Sequence, residues 1–509
     1  MANTALISVS NKEGIVDFAR KLSELDFRII STGNTAKLLQ SNKINTVQIS
    51  EVTQFPEMLD GRIKSIHPRI FAGILADRKI KKHVQELKKQ RINAIDLVVV
   101  NFYPFEEAAK RNAKLSEAIE NIDIGGPSLV RAAAKNHQST LVVVDPKDYV
   151  WIIGKLKNKK VTSNDRMRLA AKAYAYTARY DSIINNYLNN LLNDKFPDIL
   201  NLTYKKIQDL RYGENPYQTA SFYMDLFVNE NCVSNAKQLR GKELSFNNII
   251  DIDAAFEMVK DFEKPTAAVI KHTNPCGAAS ALTIEEAYKK AHKTDPKSAF
   301  GSIVALNRNC NAKTAELMRP LFIEVVVCPK FDDSSLEILK EKKNLRLLET
   351  GNITSDENCY DLKKVCGGLL LQNKYHPKLV DSELKFVSKR KPTKDEISSL
   401  IFAWKVNKHV KSNSIVLAKD NVTVGIGAGQ MSRVDAVKLA VMKSEGKSQG
   451  SVMSSDAFFP FRDGVDEAAK AGVTAIIQPG GSIRDAEVID AANENSIAMV
   501  FTGIRLFKH

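Results

Sequence analysis

The sequence of 509 residues is poor in cysteine and contains no long uninterrupted apolar stretch. No apolar run approaches the roughly 18 residues of a membrane span, so we expect no membrane association. The first residues, MANTALISVSNKEG, lack the basic and apolar regions of a signal peptide. Irregular cysteine spacing indicates a reducing cytoplasm and no disulfide framework, the cysteines being Cys232, Cys276, Cys310, Cys328, Cys359 and Cys366.

The sequence matches three known ligand-binding motifs only in part. GIGAGQ at 425–430 begins like a dinucleotide-binding loop but has Gln430 in place of the third glycine. GKS at 446–448 is preceded by Val441 where a phosphate-binding P-loop has glycine. Pro275–Cys276 matches part of a zinc-deaminase signature, but no His-x-Glu occurs in the chain. With no Cys/His cluster at metal-ligand spacing, we expect no metal.

The charge is strongly basic, at +15 with a pI near 9.3. A basic balance favours anionic partners such as phosphates, polycarboxylates or nucleic acid. The main basic run, KIKKHVQELKKQR at 79–91, has no interleaved aromatic residue for stacking on bases and is typical of a solvated helix face. We therefore expect small anionic ligands and no nucleic acid.

The N-terminal part alternates short apolar runs with helical periodicity. Nearly continuous apolar runs are typical of buried parallel strands, and they predict a doubly wound α/β domain. The helical pattern at 166–192 closes this domain, and the proline-containing stretch 195–203 predicts a boundary, so that the domain covers 1–197. The predicted strands are ALISVS (5–10), FRIIST (27–32), DLVVV (96–100) and TLVVVD (140–145).

The remainder, 198–509, also alternates strand and helix, which predicts further α/β structure. A polar stretch predicts a division of this part near 375–395. Glycine-rich turns are expected at NPCG (274–277), GIGAG (425–429) and PGG (479–481). The predicted strands are AAVIKH (267–272), GSIVALN (301–307), EVVVCP (324–329), SIVLAKD (414–420) and AIIQP (475–479).

Two loops that follow the first two strands carry hydroxyl groups, a lysine and a glycine. Backbone N–H groups at a helix N-terminus, with hydroxyl donors and an ammonium, form a phosphate cradle. Ordinary helix capping by Ser, Thr and Asn is the alternative. The candidate residues are Ser10, Lys12, Ser31, Gly33 and Thr35.

Four further segments place polar groups at element ends. Arg62, Lys64 and His67 lie in one loop and serve either as ligand contacts or as a solvated surface. Polar groups of NFYPF (101–105) and IDIGGPSLVRAAAKNH (122–137) are acid–base groups or helix caps. Lys271–His272 ends a strand, where histidine can accept a proton and lysine can stabilise an anion. The aromatic residues of SDAFFPFRDG (455–464) contact a flat ligand or belong to the core.

Twelve segments, in this order, closely resemble the family that joins AICAR transformylase to IMP cyclohydrolase. They extend from Ser8 to His509, and their collinearity makes the resemblance specific. The segments are SVSNKEG, STGNTAKLL, DGRIKSIHPRIFAGIL, NFYPF, IDIGGPSLVRAAAKNH, LRYGENPYQ, IKHTNPCGAA, DPKSAFGSIVALN, SNSIVLAK, GIGAGQMSRVDA, SDAFFPFRDGVD and IRLFKH.

The resemblance implies a methylglyoxal-synthase-like N-terminal domain for ring closure and a C-terminal transformylase of two cytidine-deaminase-like α/β units without zinc. It also implies nucleotide and folate substrates, with 10-formyltetrahydrofolate as co-substrate, and a homodimer with shared transformylase sites. Three departures from the family pattern occur: Asn34 replaces a glycine in STGNT, Ser302 replaces one after Phe300, and IRLFKH differs slightly from the common forms while keeping Arg505 and His509. None of these departures removes an implied catalytic group.

The resemblance also implies residue roles. For formyl transfer, His272 is the base, Lys271 the proton donor or oxyanion partner, and Asn413 an orienting group. For ring closure, Lys64, Tyr103 and Lys135 surround the formyl oxygen and Asp123 accepts a proton from the amide. Arg62 joins the phosphate cradle. The implied nucleotide contacts of the second site are Arg211, Tyr212, Gly301, Arg433, Phe458, Pro460 and Arg505.

Two other functions remain open on the sequence. A non-catalytic, basic nucleotide- or RNA-binding protein would bind AICAR without producing tetrahydrofolate. A methylglyoxal-synthase-type lyase would use the N-terminal cradle alone, but some 300 residues would then have no function. Measuring methylglyoxal release from dihydroxyacetone phosphate distinguishes this lyase from the bifunctional enzyme that the resemblance implies.

Overall fold

The computed structural model describes residues 3–59, 62–110, 114–354 and 359–509. The first two residues of the DGRIKSIHP segment therefore lie outside the described residues. The chain divides into two compact units, residues 1–203 and 204–509. Both units are α/β, as the alternating pattern predicted.

The N-terminal unit contains a sheet of five parallel strands in the order β3-β2-β1-β4-β5. Chain order reverses beside β1, because β2 and β3 extend to one side and β4 and β5 to the other. This confirms the predicted doubly wound sheet and places the carboxyl ends of β1, β2 and β4 next to one another. The strands are β1 (Thr4–Val9), β2 (Arg28–Ser31), β3 (Thr46–Gln48), β4 (Leu97–Asn101) and β5 (Leu141–Val143).

Helices cover this sheet because their apolar stripes follow helical periodicity. Helix α1 buries Ile15, Phe18 and Leu22, spaced three and four residues apart. The last helix, α10, begins at the capping box of Thr162 and Asp165. The helices are α1 (Ile15–Glu24), α2 (Gly33–Ser41), α3 (Ile49–Thr53), α4 (Pro68–Leu75), α5 (Lys81–Lys89), α6 (Phe105–Lys110), α7 (Leu115–Glu120), α8 (Gly125–Lys135), α9 (Tyr149–Lys157) and α10 (Ser163–Leu191).

The C-terminal unit is built on a mixed sheet of twelve strands among its described residues. The order is β16-β21-β20-β19-β17-β18-β10-β9-β11-β12-β13-β8, and two separate hairpins, β6–β7 and β14–β15, stand apart from it. The strands are β6 (Tyr204–Leu210), β7 (Ala220–Asp225), β8 (Lys237–Arg240), β9 (Thr266–Lys271), β10 (Asn274–Ser280), β11 (Ser302–Leu306), β12 (Ile323–Cys328), β13 (Arg346–Glu349), β14 (Tyr360–Val365), β15 (Gly368–Asn373), β16 (Lys385–Phe386), β17 (Ile415–Lys419), β18 (Val422–Gly427), β19 (Val452–Ser455), β20 (Ala475–Gln478) and β21 (Ala498–Phe501).

The two halves of this sheet repeat each other. From the centre outwards, each half has an antiparallel hairpin, one more antiparallel strand, two parallel strands and a short antiparallel edge strand. The halves meet where β10 and β18 pair antiparallel. Their helices also correspond, and they are α11 (Phe246–Lys260), α12 (Ile284–His292), α13 (Ala312–Met318), α14 (Asp333–Leu339), α15 (Lys394–Asn407), α16 (Arg433–Lys443), α17 (Asp463–Lys470) and α18 (Asp485–Glu494).

Two expected glycine turns are instead strands. NPCG opens β10, and the first part of GIGAG ends β18. A Cβ added at Gly277 would lie 2.1 Å from the carbonyl oxygen of Ala291, and one at Gly425 equally close to that of Ala440. These glycines therefore allow a helix to pack against the strand, which a turn prediction from glycine content does not consider. The third expected turn is present, since Gly480 and Gly481 both have positive φ.

Candidate functional site

The loops after β1 and β2 meet at the carboxyl end of the N-terminal sheet. The ammonium group of Lys12 donates to the carbonyl oxygen of Val9 and, at 2.8 Å, to Oγ1 of Thr35. Burial, and then the charge of Lys64, lower the pKa of Lys12. Two lysines whose charges interact at one loop cluster form an electropositive site suited to a phosphate.

The hydroxyl groups predicted for the cradle are largely engaged with the main chain. Ser31 is fully buried and donates to the carbonyl oxygen of Ile7 at 2.8 Å, while Thr35 donates to Val9 at 3.0 Å. Gly33, the first residue of α2, has a φ of 36°, and a Cβ there would meet no atom within 4 Å. Open space therefore lies beside the helix N-terminus, and in this arrangement an anion would contact main-chain groups rather than these two hydroxyls.

Asn101, the last residue of β4, organises the loop of Ser10 but was not among the predicted site residues. Its Oδ1 accepts the N–H groups of Ser10 at 2.6 Å and Asn11 at 2.8 Å, and its Nδ2 donates to the carbonyl oxygen of Asn11. The signal was available, because a polar residue directly after VVV stands at the ligand-binding edge of such a sheet.

Three of the residues implied for ring closure lie together. Nζ of Lys64 is 3.4 Å from the hydroxyl of Tyr103. Asp123 accepts the N–H of Gly126 at 2.8 Å, and the N–H of Tyr103 also bonds to it. Burial raises the pKa of Asp123, against the opposing effects of these hydrogen bonds and of the Lys64 charge. A carboxylate with raised proton affinity beside a lysine and a phenol is suited to proton transfer.

Two predicted residues of this unit stand apart from that group. Arg62 is exposed and forms an ion pair with Glu120. Lys135 is exposed and is the last residue of α8, whose first residue, Gly125, lies near Asp123. Ten residues of helix separate the two ends by about 15 Å. Lys135 thus lies at the opposite end of α8 from Gly125, and its role in ring closure stays a prediction.

In the C-terminal unit, Lys271 ends β9 and His272 occupies the tight turn into β10. Lys271 pairs with Asn274 across the hairpin, so the turn consists of His272 and Thr273 alone. The ammonium group of Lys271 donates to the carbonyl oxygen of Phe300 at 2.8 Å, and His272 is exposed. A base and a cation are thus presented side by side from the end of a buried strand.

Asn413 lies just before β17, and its side chain is held at both ends. Its Nδ2 donates to the carbonyl oxygen of Gln430 at 2.9 Å, and its Oδ1 accepts from Arg433 at 2.6 Å. Arg433 is itself buried and pairs with the fully buried Asp456. Arg433 was predicted as a nucleotide contact, but in this structure its guanidinium fixes Asn413 and Asp456.

Residues 411–413, called here the Asn413 segment, contribute Ser412 and Asn413 to the lining of a cleft of about 280 Å³. The hydroxyl of Ser412 donates to Asp456 and accepts the N–H of Lys508 in the C-terminal tail at 3.1 Å, and the N–H of Ser412 donates to the carbonyl oxygen of Lys508. The N–H of Lys411 donates to Oδ1 of Asn274 at 3.1 Å, which connects the Lys271 turn to the same segment. The cleft is lined by Ser412, Asn413, Gly429, Gln430, Met431, Phe507 and His509.

The other residues predicted for this site are mostly at the surface. Arg211 is exposed and stacks on the ring of Tyr212, with 4.9 Å between its guanidinium carbon and the ring centre. Arg505 stacks in the same way on Phe507, which lines the cleft. Gly301 has a φ of 73° and donates to the carbonyl oxygen of Phe322. Phe458 and Pro460 are exposed, whereas the intervening Phe459 is in the core.

Neither a metal-binding cluster nor a membrane-spanning helix is present in the part of the chain that the structure describes. Within the described ranges, no group of three or more His, Cys, Asp or Glu side chains is arranged to hold a metal ion. No helix in that part of the chain combines the length and apolar character that crossing a membrane requires.

Two family models match the sequence. The model described as the AICARFT/IMPCHase bienzyme matches residues 133–443, which is more than half of the chain. The model described as an MGS-like domain matches residues 14–128 and confirms the predicted methylglyoxal-synthase-like fold of the N-terminal part.

Several curated relatives are similar over their whole length. A protein of Thermoanaerobacter sp. (strain X514) is 53% identical over 511 residues, and one of Acetivibrio thermocellus is 52% identical over 515 residues. A third, of Caldicellulosiruptor saccharolyticus, is 51% identical over 514 residues. In each comparison the match covers 100% of both chains, and each relative is named bifunctional purine biosynthesis protein PurH.

Proposed function

We propose an assignment of two reactions to specific residues of this chain, which belongs to the AICARFT/IMPCHase bienzyme family. The chain is a bifunctional enzyme of purine biosynthesis, with AICAR formyltransferase and IMP cyclohydrolase activities. A folate-type formyl donor follows from the transferase activity, and we propose 10-formyltetrahydrofolate as this donor.

Formyl transfer is assigned to Lys271, the last residue of β9, and His272, the first residue of the turn that follows it. The 5-amino group of AICAR is a weak nucleophile, because its lone pair is delocalised into the imidazole ring and towards the carboxamide. His272 accepts a proton as this nitrogen attacks the formyl carbon, and Lys271 stabilises the oxyanion of the tetrahedral intermediate. The intermediate collapses by breaking the bond to N10 of the folate, which leaves as tetrahydrofolate after taking up a proton.

The substrate of this reaction is assigned to the cleft beside Asn413. An amide whose two ends are held by Arg433 and Gln430 is preorganised, so it can orient a ligand without losing side-chain freedom. We assign the phosphate to Arg505, since a guanidinium binds phosphate oxygens in a bidentate manner. Arg433 acts through Asn413 and Asp456 in this proposal.

Ring closure is assigned to the N-terminal unit. The carboxamide nitrogen of the formylated nucleotide adds to the formyl carbon of the same molecule, and water is lost. Asp123 accepts the amide proton, while Lys64 and Tyr103 hold the formyl oxygen. Lys12 and the main chain at Gly33 bind the phosphate. Lys135 stays a prediction and has no assigned contact.

One observation carries the proposal: Lys271 and the exposed His272 are neighbours at the start of a two-residue turn. A hydrogen bond between Lys411 and Asn274 connects this turn to the Asn413 segment. The decisive experiment follows tetrahydrofolate formation spectrophotometrically with AICAR and 10-formyltetrahydrofolate, and identifies the products. Closure of synthetic formylated AICAR is measured separately. Binding of AICAR without tetrahydrofolate formation would overturn the assignment of formyl transfer.

We further propose that the chain acts in the cytoplasm as a homodimer with shared transformylase sites. Family resemblance supports this, and sedimentation analysis of the purified chain tests it. Mixing two inactive variants with changes in different parts of the site restores formyl transfer if the sites are shared.

A further inference from the structure

We propose that Asp251, on helix α11, is a positioning residue for formyl transfer, whose carboxylate holds the turn that presents Lys271 and His272. The inference rests on the assignment of formyl transfer to this turn. It concerns a residue that contacts the turn's main chain and has no assigned contact with substrate.

The turn has a conformation that its own residues disfavour. His272 has a φ of 51° and Thr273 a φ of 63°, so both central residues of the hairpin are left-handed. Two-residue hairpins of this kind favour Asn, Asp and Gly, which tolerate positive φ. A β-branched residue such as Thr273 is strained there. The turn therefore needs stabilisation from outside itself.

Asp251 supplies hydrogen-bond acceptors at the point where the turn offers donors. Its Oδ1 accepts the N–H of Thr273 at 2.7 Å, and the N–H of His272 also bonds to this carboxylate. Consecutive N–H groups that converge on one anion form a charge-assisted arrangement. Asn274, the residue after the turn, accepts the N–H of Lys411, so the turn is held from both α11 and the Asn413 segment.

The second half of the sheet provides an internal comparison. Its hairpin turn consists of Asp420 and Asn421, with φ of 54° and 57°. These residue types favour the conformation. Asp251 stands six residues after the capping residue Ser245 of α11, and the sixth residue after the capping Thr393 of α15 is Ser399. The hydroxyl of Ser398 on α15 does donate to the side chain of Asn421 at 3.1 Å, whereas the carboxylate of Asp251 accepts from the main chain of the first turn.

The first test compares Asp251→Ala with Asp251→Asn and, as a matched control, Ser399→Ala. A displaced base and cation lower kcat for formyl transfer by about 10²-fold in Asp251→Ala, since positional errors near 1 Å have effects of this size. The KM for AICAR changes by less than about threefold, because the cleft keeps its substrate contacts. Asp251→Asn retains an oxygen acceptor and recovers at least about a tenth of the native kcat. Ser399→Ala leaves formyl transfer unchanged.

The second test combines Asp251→Ala with Thr273→Gly. Glycine adopts positive φ without strain, so the double variant regains most of the kcat that Asp251→Ala loses. Closure of formylated AICAR, measured in every variant, reports on the N-terminal unit and stays at the native level. No regain in the double variant, or an Asn variant as impaired as the Ala variant, overturns the inference. Absence of formyl transfer in the unmodified chain would instead refute the proposed function.

Discussion

The hairpin turns β9–β10 and β17–β18 occupy equivalent places in the two halves of the C-terminal sheet, yet different residues form them. Each turn follows a lysine, Lys271 in one half and Lys419 in the other. Lys271 donates to the carbonyl oxygen of Phe300 at 2.8 Å, and Lys419 to that of Gln449 at 3.3 Å. A lysine at this position is therefore a property of the repeated fold, and it does not by itself mark a reaction site.

What distinguishes the first turn is the pair of residues at its apex. His272 and Thr273 replace the Asp420 and Asn421 of the second turn, although both turns are left-handed. Asp and Asn suit that conformation, whereas a β-branched Thr is strained in it. Strain of this kind persists where the surrounding structure stabilises it, and it is concentrated at functional sites.

The second half contributes polar groups that the first half lacks. Arg433 begins α16, and the equivalent first residue of α12 is Ile284. Asp456 follows β19, and Asn307 follows β11 in the same way. The N–H of Asp456 donates to the carbonyl oxygen of Ser414, directly before β17, and the N–H of Asn307 donates to that of Thr266, the first residue of β9. The candidate site therefore combines the turn of one half with the buried ion pair of the other.

The largest expected effect comes from His272→Ala, compared with Asp420→Asn in the second turn. Loss of a general base lowers the rate of formyl transfer by about 10²–10⁴-fold. Closure of formylated AICAR continues at the native rate, because it is assigned to the other unit. Asp420→Asn keeps both activities. The two assays are run on the same preparations, and loss of both activities in His272→Ala would argue against separate sites.

Breaking the buried ion pair should have the next largest effect. Arg433→Ile leaves Asp456 buried without its partner, which lowers the free energy of unfolding by about 3–5 kcal/mol. The double variant Arg433→Ile with Asp456→Asn copies the residues of the first half and recovers most of this loss, since an ion pair can be replaced as a whole. Urea unfolding followed by circular dichroism measures both. A double variant no more stable than the single one would contradict the equivalence of the halves.

A third comparison uses Lys271 and Lys419, the lysines that precede the two turns. Lys271→Ala removes an oxyanion partner and lowers kcat for formyl transfer by about 10²–10³-fold. Lys419→Ala removes a similar hydrogen bond to a carbonyl oxygen without affecting either reaction. Steady-state rates and urea midpoints are measured for both variants. Equal losses of formyl transfer would show that the lysines act only through the fold.

The smallest effect is expected from relieving strain at the turn. Thr273→Gly raises the free energy of unfolding by about 1 kcal/mol, because strained φ at such sites costs on the order of 1–3 kcal/mol and glycine returns part of this as entropy. Asn421→Gly changes it much less, since Asn already tolerates positive φ. Thermal or urea unfolding compares the two, and a destabilised Thr273→Gly would contradict strain at this turn.

The strands were the most predictable part of the fold. The run DLVVV, for example, is apolar at successive positions, which is characteristic of a strand covered on both faces. The runs at 267–272 and 475–479 were identified in the same way. NPCG was assigned wrongly, because the need for glycine there comes from a helix carbonyl distant in sequence.

The candidate sites were only partly predictable. A Lys–His pair at a strand end is visible in a linear sequence, because the strand and its end are local features. Asp251 gave no comparable signal, since it looks like any polar residue on an amphipathic helix. Arg433 carried no indication that Asp456 would bury and neutralise it, because that contact depends on packing across 23 positions of chain.

The sequence by itself determined the alternation of strands and helices, the family, and the residue types available for each reaction. These depend on periodicity and on short segments, where neighbouring residues act on one another directly. Only the tertiary structure decided which polar side chains are available to a ligand. Others, such as those of Ser31 and Arg433, are already hydrogen-bonded to groups of the protein. It also decided that His272 stands on a strained turn, because hydrogen bonds from separate elements stabilise a conformation that its own residues disfavour.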